Sequence, residues 1–171
     1  MSNGLRTPGP ARKTKSSRKV FSLKKIAIRI KRKESAKDLP IPVYATSGSS
    51  GVDLYADVED DVTLNTGDIK LISCGIYVAI PAGYEAQIRP RSGLSLKHGV
   101  TIVNTPGTID SDYRGLINLI VTNFGKEDFV IKRGLRLAQM IIQEVVRAEF
   151  LEVEDLDETA RAHGGFGHTG I

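Results

Sequence analysis

The C-terminal residues 164–171, GGFGHTGI, combine the side chains and the backbone freedom that a nucleotide-binding segment needs. Glycine amides can approach phosphate oxygens closely, because no Cβ shields them. Phe166 lies between the glycines and could stack on a flat base, while Arg161 upstream supplies a permanently charged, forked donor. The pattern predicts a mobile arm that closes over a nucleotide. A frayed terminus without a role explains the tail equally well when it is taken alone.

Four further segments place glycine beside one or two polar residues. They are 51–56 (GVDLYA), 90–97 (PRSGLSLK), 104–115 (NTPGTIDSDYRG) and 133–139 (RGLRLAQ). In the second segment, the Arg91 guanidinium, the Ser92 hydroxyl and the amides of a helix start would converge on an anion. Each segment has a simpler explanation as turn chemistry or solvated charge. Together, the five supply phosphate donors, a platform for a base, and carboxylates for a metal or an activated water.

Short β-strands must position these segments, because the sequence has no sustained helical period. Ile26, Ile28 and Ile30 alternate with small or basic residues, which is the period of a half-buried strand. Further strand-like runs cover 51–56, 68–78, 84–89, 99–103, 116–123, 129–131 and 138–146. One short helix is predicted around 92–97, with Ser92 as its N-cap. Many short strands at nearly regular spacing predict an all-β barrel or jelly roll.

Length and composition limit the classes that this chain can belong to. The 171 residues suffice for one domain with tails. Apolar runs fall far short of the ~20 residues of a membrane span, so no membrane partner is expected. The single cysteine, Cys74, cannot form an intrachain disulfide and reads as a small buried hydrophobe. A lone thiol fits a reducing compartment, and the expected location is the cytoplasm.

Residues 1–23 form a basic N-terminal extension, predicted to be disordered because Pro, Gly, Ser and Lys dominate it. Residues 1–33 carry 12 Lys or Arg and no acidic residue, so the basic pI does not describe the domain. Three interpretations stay open: contact with nucleic acid or an anionic surface, an organelle transit peptide, or a solvated extension without a role. The barrel domain is predicted at 24–150, and 151–171 as an acidic linker and the Gly-rich arm.

The five segments, in this order, resemble the five motifs of the trimeric deoxyuridine triphosphatase (dUTPase) family. The resemblance runs from about residue 25 to the C terminus, and GTIDSDYRG and GGFGHTG are its most specific parts. It implies a distorted jelly-roll β-barrel, a homotrimer whose active sites are shared between subunits, and hydrolysis of dUTP to dUMP and pyrophosphate. That reaction keeps uracil out of DNA and supplies dUMP for thymidylate synthesis. It also implies Mg²⁺, held mainly through substrate phosphates and water.

The family pattern implies roles for individual residues. Asp110 matches the carboxylate that activates the water attacking the α-phosphorus, while Asp53 and Gln139 match residues that orient the water shell of the metal. Asn104 matches the residue that faces the uracil edge. Tyr113 matches the residue beneath the deoxyribose, where a ribose 2′-hydroxyl would clash. The other substrate-binding residues that the resemblance implies are Arg91, Ser92, Gly93, Gly107, Thr108, Ile109, Arg136, Arg161, Phe166, Gly167, His168 and Thr169.

Two arm residues depart from the family pattern. Ala162 stands where glycine is usual, and it would add about 1 kcal/mol to arm closure if the position needs a positive φ. His168 stands where serine is usual, which replaces a hydroxyl by an imidazole. Two alternatives stay open. A dCTP deaminase-type relative would share the barrel and release ammonia, although its arm differs. A nucleotide-binding regulator on the same fold would lack catalysis, although the intact Asp110 argues against it.

Overall fold

The computed structural model describes residues 24–165, and within them the chain forms a β-barrel with one short α-helix. The strands are β1 Arg29–Arg32, β2 Gly51–Tyr55, β3 Val62–Leu64, β4 Ile69–Ser73, β5 Ile76–Ala79, β6 Tyr84–Pro90, β7 Val100–Ile102, β8 Gly107–Ile109, β9 Asn118–Asn123, β10 Phe129–Ile131 and β11 Arg136–Glu144. The helix α1 spans Ser92–His98, and a 3₁₀ turn spans Glu34–Ala36. None of the helices in this described range is long and apolar enough to cross a membrane.

All the strand pairings are antiparallel, and most join strands that are distant in sequence. The sheets have the orders β2-β11-β6-β8, β4-β9-β7, β1-β5 and β10-β3. Strand β11 lies between β2 and β6, so the end of the domain is inserted beside its beginning. This arrangement confirms the predicted distorted jelly-roll barrel. Its core is aliphatic and includes Leu54, Leu64, Ile117, Leu119, Val121 and Ile131, all essentially buried.

Two local predictions were wrong. The run 68–78 is two strands, because Gly75 has a φ of 66° and turns the chain between β4 and β5. Any Cβ at Gly75 would lie 2.3 Å from Ala36 Cβ, so the turn also needs glycine for space. The N-cap of α1 is Arg91 and not Ser92. The Arg91 backbone is extended and its carbonyl accepts the first helical bonds, which places Ser92 inside the first turn.

Cys74 lies buried between β4 and β5, as predicted. Burial raises the pKa of its thiol to about 12, and the nearby charge of Asp57 acts in the same direction. The thiol therefore stays protonated near neutral pH and behaves as a small apolar side chain.

A buried carboxylate, Asp57, joins the 3₁₀ turn to the barrel through Arg133. Arg133 Nη1 lies 2.9 Å from Asp57 Oδ1, and the same guanidinium binds Asp38 through a nitrogen 2.7 Å from Oδ1. The Ser73 hydroxyl donates to Asp57 Oδ2 at 3.1 Å, and Lys33 lies 3.5 Å from the same oxygen. The hydrogen bond from Arg133 holds the pKa of Asp38 below its ordinary value. Arg133 belongs to one of the glycine-containing segments, and its role in this structure is to brace the fold.

Replacing Arg133 by glutamine is expected to lower the free energy of unfolding by about 2–3 kcal/mol, because a buried carboxylate loses its strongest partner. The estimate lies at the lower end for buried pairs, since Ser73 and Lys33 still face Asp57. Urea unfolding at one fixed protein concentration measures the change. The matched control is Lys132→Gln, since Lys132 makes an exposed pair with Asp61 at 3.6 Å and should cost under about 1 kcal/mol. Equal losses in the two variants would contradict the bracing role.

Candidate active site

An open cavity of about 600 Å³ lies between α1, β2, β11 and the loop that precedes β2. It is lined by predicted site residues from three segments of the sequence: Asp53, Arg91, Ser92, Gly93, Arg136 and Gln139. We call it the phosphate cavity, because its side chains are mainly cationic or hydrogen-bonding. The structure thus brings together every predicted residue of the segments 51–56, 90–97 and 133–139.

Strand pairing explains how these segments meet. Gln139 on β11 lies opposite Asp53 on one side and opposite Arg89 on the other. The Gln139 amide donates to the Pro90 carbonyl at 3.0 Å, which fixes the chain just before α1. Gly51 leaves space for the Gln139 side chain, since a Cβ there would lie 3.0 Å from Gln139 Oε1. A β-bulge between Arg136 and Ala138 breaks the regular pairing beside the cavity.

Asp53 joins the two arginines of the phosphate cavity. Its Oδ1 lies 2.9 Å from Arg91 Nε, and its Oδ2 lies 3.1 Å from Arg136 Nη1. Arg91 also donates to the Arg136 backbone carbonyl at 3.2 Å. Both carboxylate oxygens therefore face guanidinium groups, so Asp53 holds the two cations side by side in the cavity. Its role toward a metal's water shell stays a prediction.

The start of α1 presents backbone amides to the phosphate cavity. The amides of Leu94 and Ser95 both bond to the Arg91 carbonyl, whereas those of Ser92 and Gly93 precede the helical bonding pattern. A Cβ at Gly93 would meet nothing within 4 Å, so the backbone there faces open space. An anion can therefore come close to this turn of the chain.

The described side chains of the phosphate cavity supply few ligands for a metal ion. Within residues 24–165, no three His, Cys, Asp or Glu side chains group as a metal cage. The cavity offers the carboxylate of Asp53, which already faces two arginines, and the amide of Gln139. Mg²⁺ commonly keeps several waters and binds through phosphates, so this sparse set is compatible with it.

The second group of predicted residues lies on the segment that leads into and out of β8. Gly107 is buried, and a Cβ there would lie 3.2 Å from Asn104 Nδ2 and 3.5 Å from Ile88 Cβ. Asn104 and Thr108 are exposed, and Ile109 packs partly against the core. The glycine therefore allows the Asn104 side chain to lie against the strand, near the exposed Thr108.

Asp110 follows β8 and lines a second cavity of about 770 Å³, together with Glu85, Ser111, Asp112 and Arg147. This cavity, which we call the carboxylate cavity, shares no residue with the phosphate cavity. Gln139 pairs with Arg89 of β6, whereas Ile109 pairs with Ala86 of the same strand. Arg89 and Ala86 are three residues apart, which is roughly 10 Å along β6, and Asp110 lies one residue further from Gln139 than Ile109 does. One chain alone does not bring Asp110 to Arg91 and Arg136.

Hydrogen bonds close a tight turn that carries both Asp110 and Tyr113. The Tyr113 amide donates to the Asp110 carbonyl at 3.2 Å. Arg114 Nη1 donates to the carbonyls of Ser111 and Tyr113, each at 2.7 Å. No role was predicted for Arg114, because side-chain bonds to backbone carbonyls leave no periodic signal. Arg114 thus braces the turn from which Asp110 and Tyr113 project.

Other residues lining the phosphate cavity were also missed. Lys97 and His98, at the end of α1, face it, as do Val43 and Ala45 of the loop before β2. The His98 ring packs on Phe129 with centroids 5.0 Å apart. Helical spacing could have indicated both α1 residues, since Lys97 is four residues from Gly93 and His98 is seven from Arg91. The loop residues carry no such pattern.

Only the beginning of the predicted arm lies within the described residues. Arg161 is exposed and lines neither cavity, and its Nε donates to the Gly164 carbonyl at 2.8 Å. Ala162 has a φ of 44°, in the left-handed region that favours glycine. The predicted contacts of Phe166, Gly167, His168 and Thr169 lie outside the described residues, as does the extension 1–23.

Comparison with known proteins agrees with these observations. A family model described as dUTPase matches residues 37–170. A deoxyuridine 5′-triphosphate nucleotidohydrolase of Caldanaerobacter subterraneus subsp. tengcongensis is 58% identical over 146 residues, which cover 85% of this chain and 99% of the relative. A protein of the same name from Caulobacter vibrioides is 54% identical over 148 residues, covering 85% and 96%.

Solved structures share the fold at low sequence identity. The dUTPase of Staphylococcus bacteriophage 80alpha with dUPNHPP has a TM-score of 0.73 and 22% identity, with 85% of this chain and 99% of that chain covered. A mutant dUTPase from phage phi11 of S. aureus, which coordinates a structural Mg(II) ion, has a TM-score of 0.68 and 21% identity, covering 78% and 100%. These likenesses extend the agreement to the arrangement of the strands.

Proposed function

The chain belongs to the dUTPase family and hydrolyses dUTP to dUMP and pyrophosphate, and we propose that its two cavities divide this reaction between them. Asp110 accepts a proton from the water that attacks the α-phosphorus, and Arg91 and Arg136 hold the phosphates. The bond from the α-phosphorus to the bridging oxygen then breaks, and pyrophosphate leaves. The observation that carries the phosphate-binding part of this assignment is the meeting of six predicted residues, from three distant segments, around one cavity.

Asp53 prepares the phosphate cavity before the substrate arrives. Because each guanidinium already faces one of its oxygens, the arginines lose little side-chain freedom when phosphate oxygens replace or join the carboxylate. Ser92 and Gly93 add a hydroxyl and open backbone beside them. Mg²⁺, carried in by the phosphates, would neutralise part of their charge and leave the Asp110 carboxylate a usable base.

The strand β8 and the turn after it would select the nucleoside. Asn104 and the backbone of Thr108 and Ile109 would meet the uracil edge, where a 5-methyl group or a cytosine amine fits poorly. Tyr113, whose side chain is exposed, would lie beneath the deoxyribose and exclude a ribose 2′-hydroxyl. Phe166 and the rest of the arm would then close over the base and the phosphates.

The active unit is proposed to be a homotrimer in which each site combines residues of different subunits. The separation of the carboxylate cavity from the phosphate cavity supports this, because one chain holds only parts of the site. The segment after β11 also exposes large apolar side chains, including Val146 at 92% and Phe150 at 93% exposure. Several exposed apolar side chains in one segment are typical of a surface that packs against a partner. The expected mass in light scattering is three times the 18.6 kDa chain.

The domain limits are proposed as 24–150 for the barrel and 151–171 for the linker and arm. The extension 1–23 would take no part in the reaction, since the alignment with the Caldanaerobacter relative covers 99% of that protein but only 85% of this chain. Contact between the extension and nucleic acid stays a hypothesis. We place the enzyme in the cytoplasm, where its one buried thiol would remain reduced.

Deleting residues 1–22 should leave kcat/KM for dUTP unchanged, because the extension lies outside the predicted barrel and arm. A loss of activity in this variant would show that the extension has a role in the reaction.

Pyrophosphate release from dUTP, dCTP, dTTP and UTP, each with and without Mg²⁺, tests the proposal. Fast release is expected from dUTP alone, and only with Mg²⁺. Ammonia released from dCTP would instead indicate a deaminase, and bound but unhydrolysed dUTP would indicate a regulator. Activity retained fully after chelation would contradict the role given to the metal.

The positive φ of Ala162 predicts that Ala162→Gly lowers KM for dUTP. Glycine adopts this conformation without the ~1 kcal/mol cost of an alanine, so a closed arm that keeps it would become up to about fivefold more favourable. We expect KM for dUTP to fall by up to that factor, with the barrel's unfolding temperature unchanged. The control is Ala160→Gly, two residues earlier at a position without a positive φ. A KM that falls equally in both variants would indicate general loosening of the arm.

A further inference from the structure

Gly115 lies directly beneath the side chain of Tyr113. A Cβ placed on Gly115 would lie 2.2 Å from Tyr113 Oη, 2.4 Å from Cζ and 2.9 Å from Cε2. Real Cβ atoms do not approach other heavy atoms so closely, so no other residue fits at 115 while the tyrosine keeps this position. The phenol therefore rests on the backbone of its own chain, two residues further along.

The backbone conformation gives no reason for this glycine. The described glycines with positive φ are at 67, 75, 83, 99 and 134, and Gly115 is not among them. Alanine could adopt the conformation at 115 without left-handed strain. The three atoms nearest to a Cβ at 115 all belong to Tyr113, so the requirement for glycine at this position comes from the tyrosine side chain.

The phenol is also held at its far end. The Tyr113 hydroxyl donates to the Leu116 carbonyl at 3.1 Å, and the Asn118 side-chain amide donates to the same oxygen at 3.1 Å. The next residue, Ile117, is fully buried and bonded through its backbone to Ile76 and Cys74. Because this anchor is part of the barrel, the ring cannot keep its hydroxyl bond and also move aside for a larger residue at 115.

We propose that Gly115 is a positioning residue for ribose exclusion. Because glycine has no Cβ, the Tyr113 ring can lie directly against the backbone at 115. In this position the ring leaves space for a deoxyribose and blocks the 2′-hydroxyl of a ribose. This inference rests on the proposed function, in which Tyr113 meets the sugar. The substrate feature that Gly115 governs is the 2′ position of a uridine triphosphate, and Gly115 itself touches no substrate atom.

The test is the ratio of kcat/KM for dUTP to kcat/KM for UTP, measured in four proteins: wild type, Gly115→Ala, Tyr113→Ala and the double variant. In the wild-type background, Gly115→Ala is expected to lower this ratio by about tenfold or more, because the displaced Tyr113 ring no longer blocks a 2′-hydroxyl. In the Tyr113→Ala background, the same change should have almost no effect, since the space above residue 115 is then empty. The double variant also has the space it needs to fold.

The readouts separate this inference from the proposed function. If the wild type is selective and Tyr113→Ala admits UTP, but Gly115→Ala leaves the ratio unchanged, the inference is overturned and the function stands. Equal effects of Gly115→Ala in both backgrounds would likewise overturn it, since they would reflect damage unrelated to the ring. If Tyr113→Ala leaves the ratio unchanged, both the role of Tyr113 in ribose exclusion and the inference about Gly115 are wrong. A general loss of stability would lower both rates without changing their ratio.

Discussion

Replacing Asp110 by asparagine is expected to lower kcat for dUTP by on the order of 10³-fold, while the affinity for dUTP changes little. The amide has nearly the same shape as the carboxylate and cannot take the proton of the attacking water. Asp110 lies just after β8 and lines the carboxylate cavity, so the exchange should leave the barrel intact. Single-turnover pyrophosphate release measures the chemical step, and calorimetric titration with dUTP measures binding to the inactive variant.

Asp112 offers a matched control for this experiment. It lines the same cavity, is also exposed, and lies two residues further along the same turn. Asp112→Asn removes the same charge from the same region, so it reports the general electrostatic effect of losing one carboxylate. We expect kcat to stay within about threefold of the wild type, since long-range effects of exposed charges are small in salt. Comparable losses in both variants would mean that Asp110 acts through the local potential and not as the base.

Much of the strand content, and the three segments that line the phosphate cavity, could be predicted from local sequence, because both depend on short-range patterns. The alternation around Ile28 and the glycine-containing segments needed only neighbouring residues. The pairing of β2 with β11 could not be predicted in this way, since Asp53 and Gln139 are far apart in sequence and their register depends on the whole barrel. The Asp53 bridge between Arg91 and Arg136 follows from that register.

The division of the run 68–78 and the role of Arg133 also depend on contacts between distant residues. Gly75 divides a strand-like run through its positive φ, and the turn must be a glycine because Ala36 and Asp57 crowd it from other parts of the chain. Arg133 has the same charge as Arg136 and lies in the same segment, yet it turns toward buried Asp57 while Arg136 faces the phosphate cavity. Local sequence contains the charge of each arginine, whereas its partner depends on tertiary packing.

Mixing two inactive variants, Asp110→Asn and Arg136→Ala, is expected to restore about a quarter of the wild-type activity, provided that subunits exchange randomly within a trimer. If Asp110 and Arg136 of one site come from different subunits, half of the sites receive an intact Asp110 and half of those receive an intact Arg136. The separation of the two cavities within one chain is the physical reason to expect this. The proteins should be unfolded and refolded together, and pyrophosphate release measured per chain.

The control mixture pairs Arg91→Ala with Arg136→Ala. Both residues line the phosphate cavity of the same chain and bind one carboxylate, Asp53. Every phosphate cavity in such a mixed trimer lacks one arginine, so no activity above that of the parents is expected. If Asp110→Asn and Arg136→Ala also fail to complement, although native mass spectrometry shows mixed trimers, each site must be completed within one chain. Asp110 would then have to reach the phosphate cavity by a movement of β8 and its turn across roughly 10 Å of the sheet, which the pairing of β8 with β6 opposes.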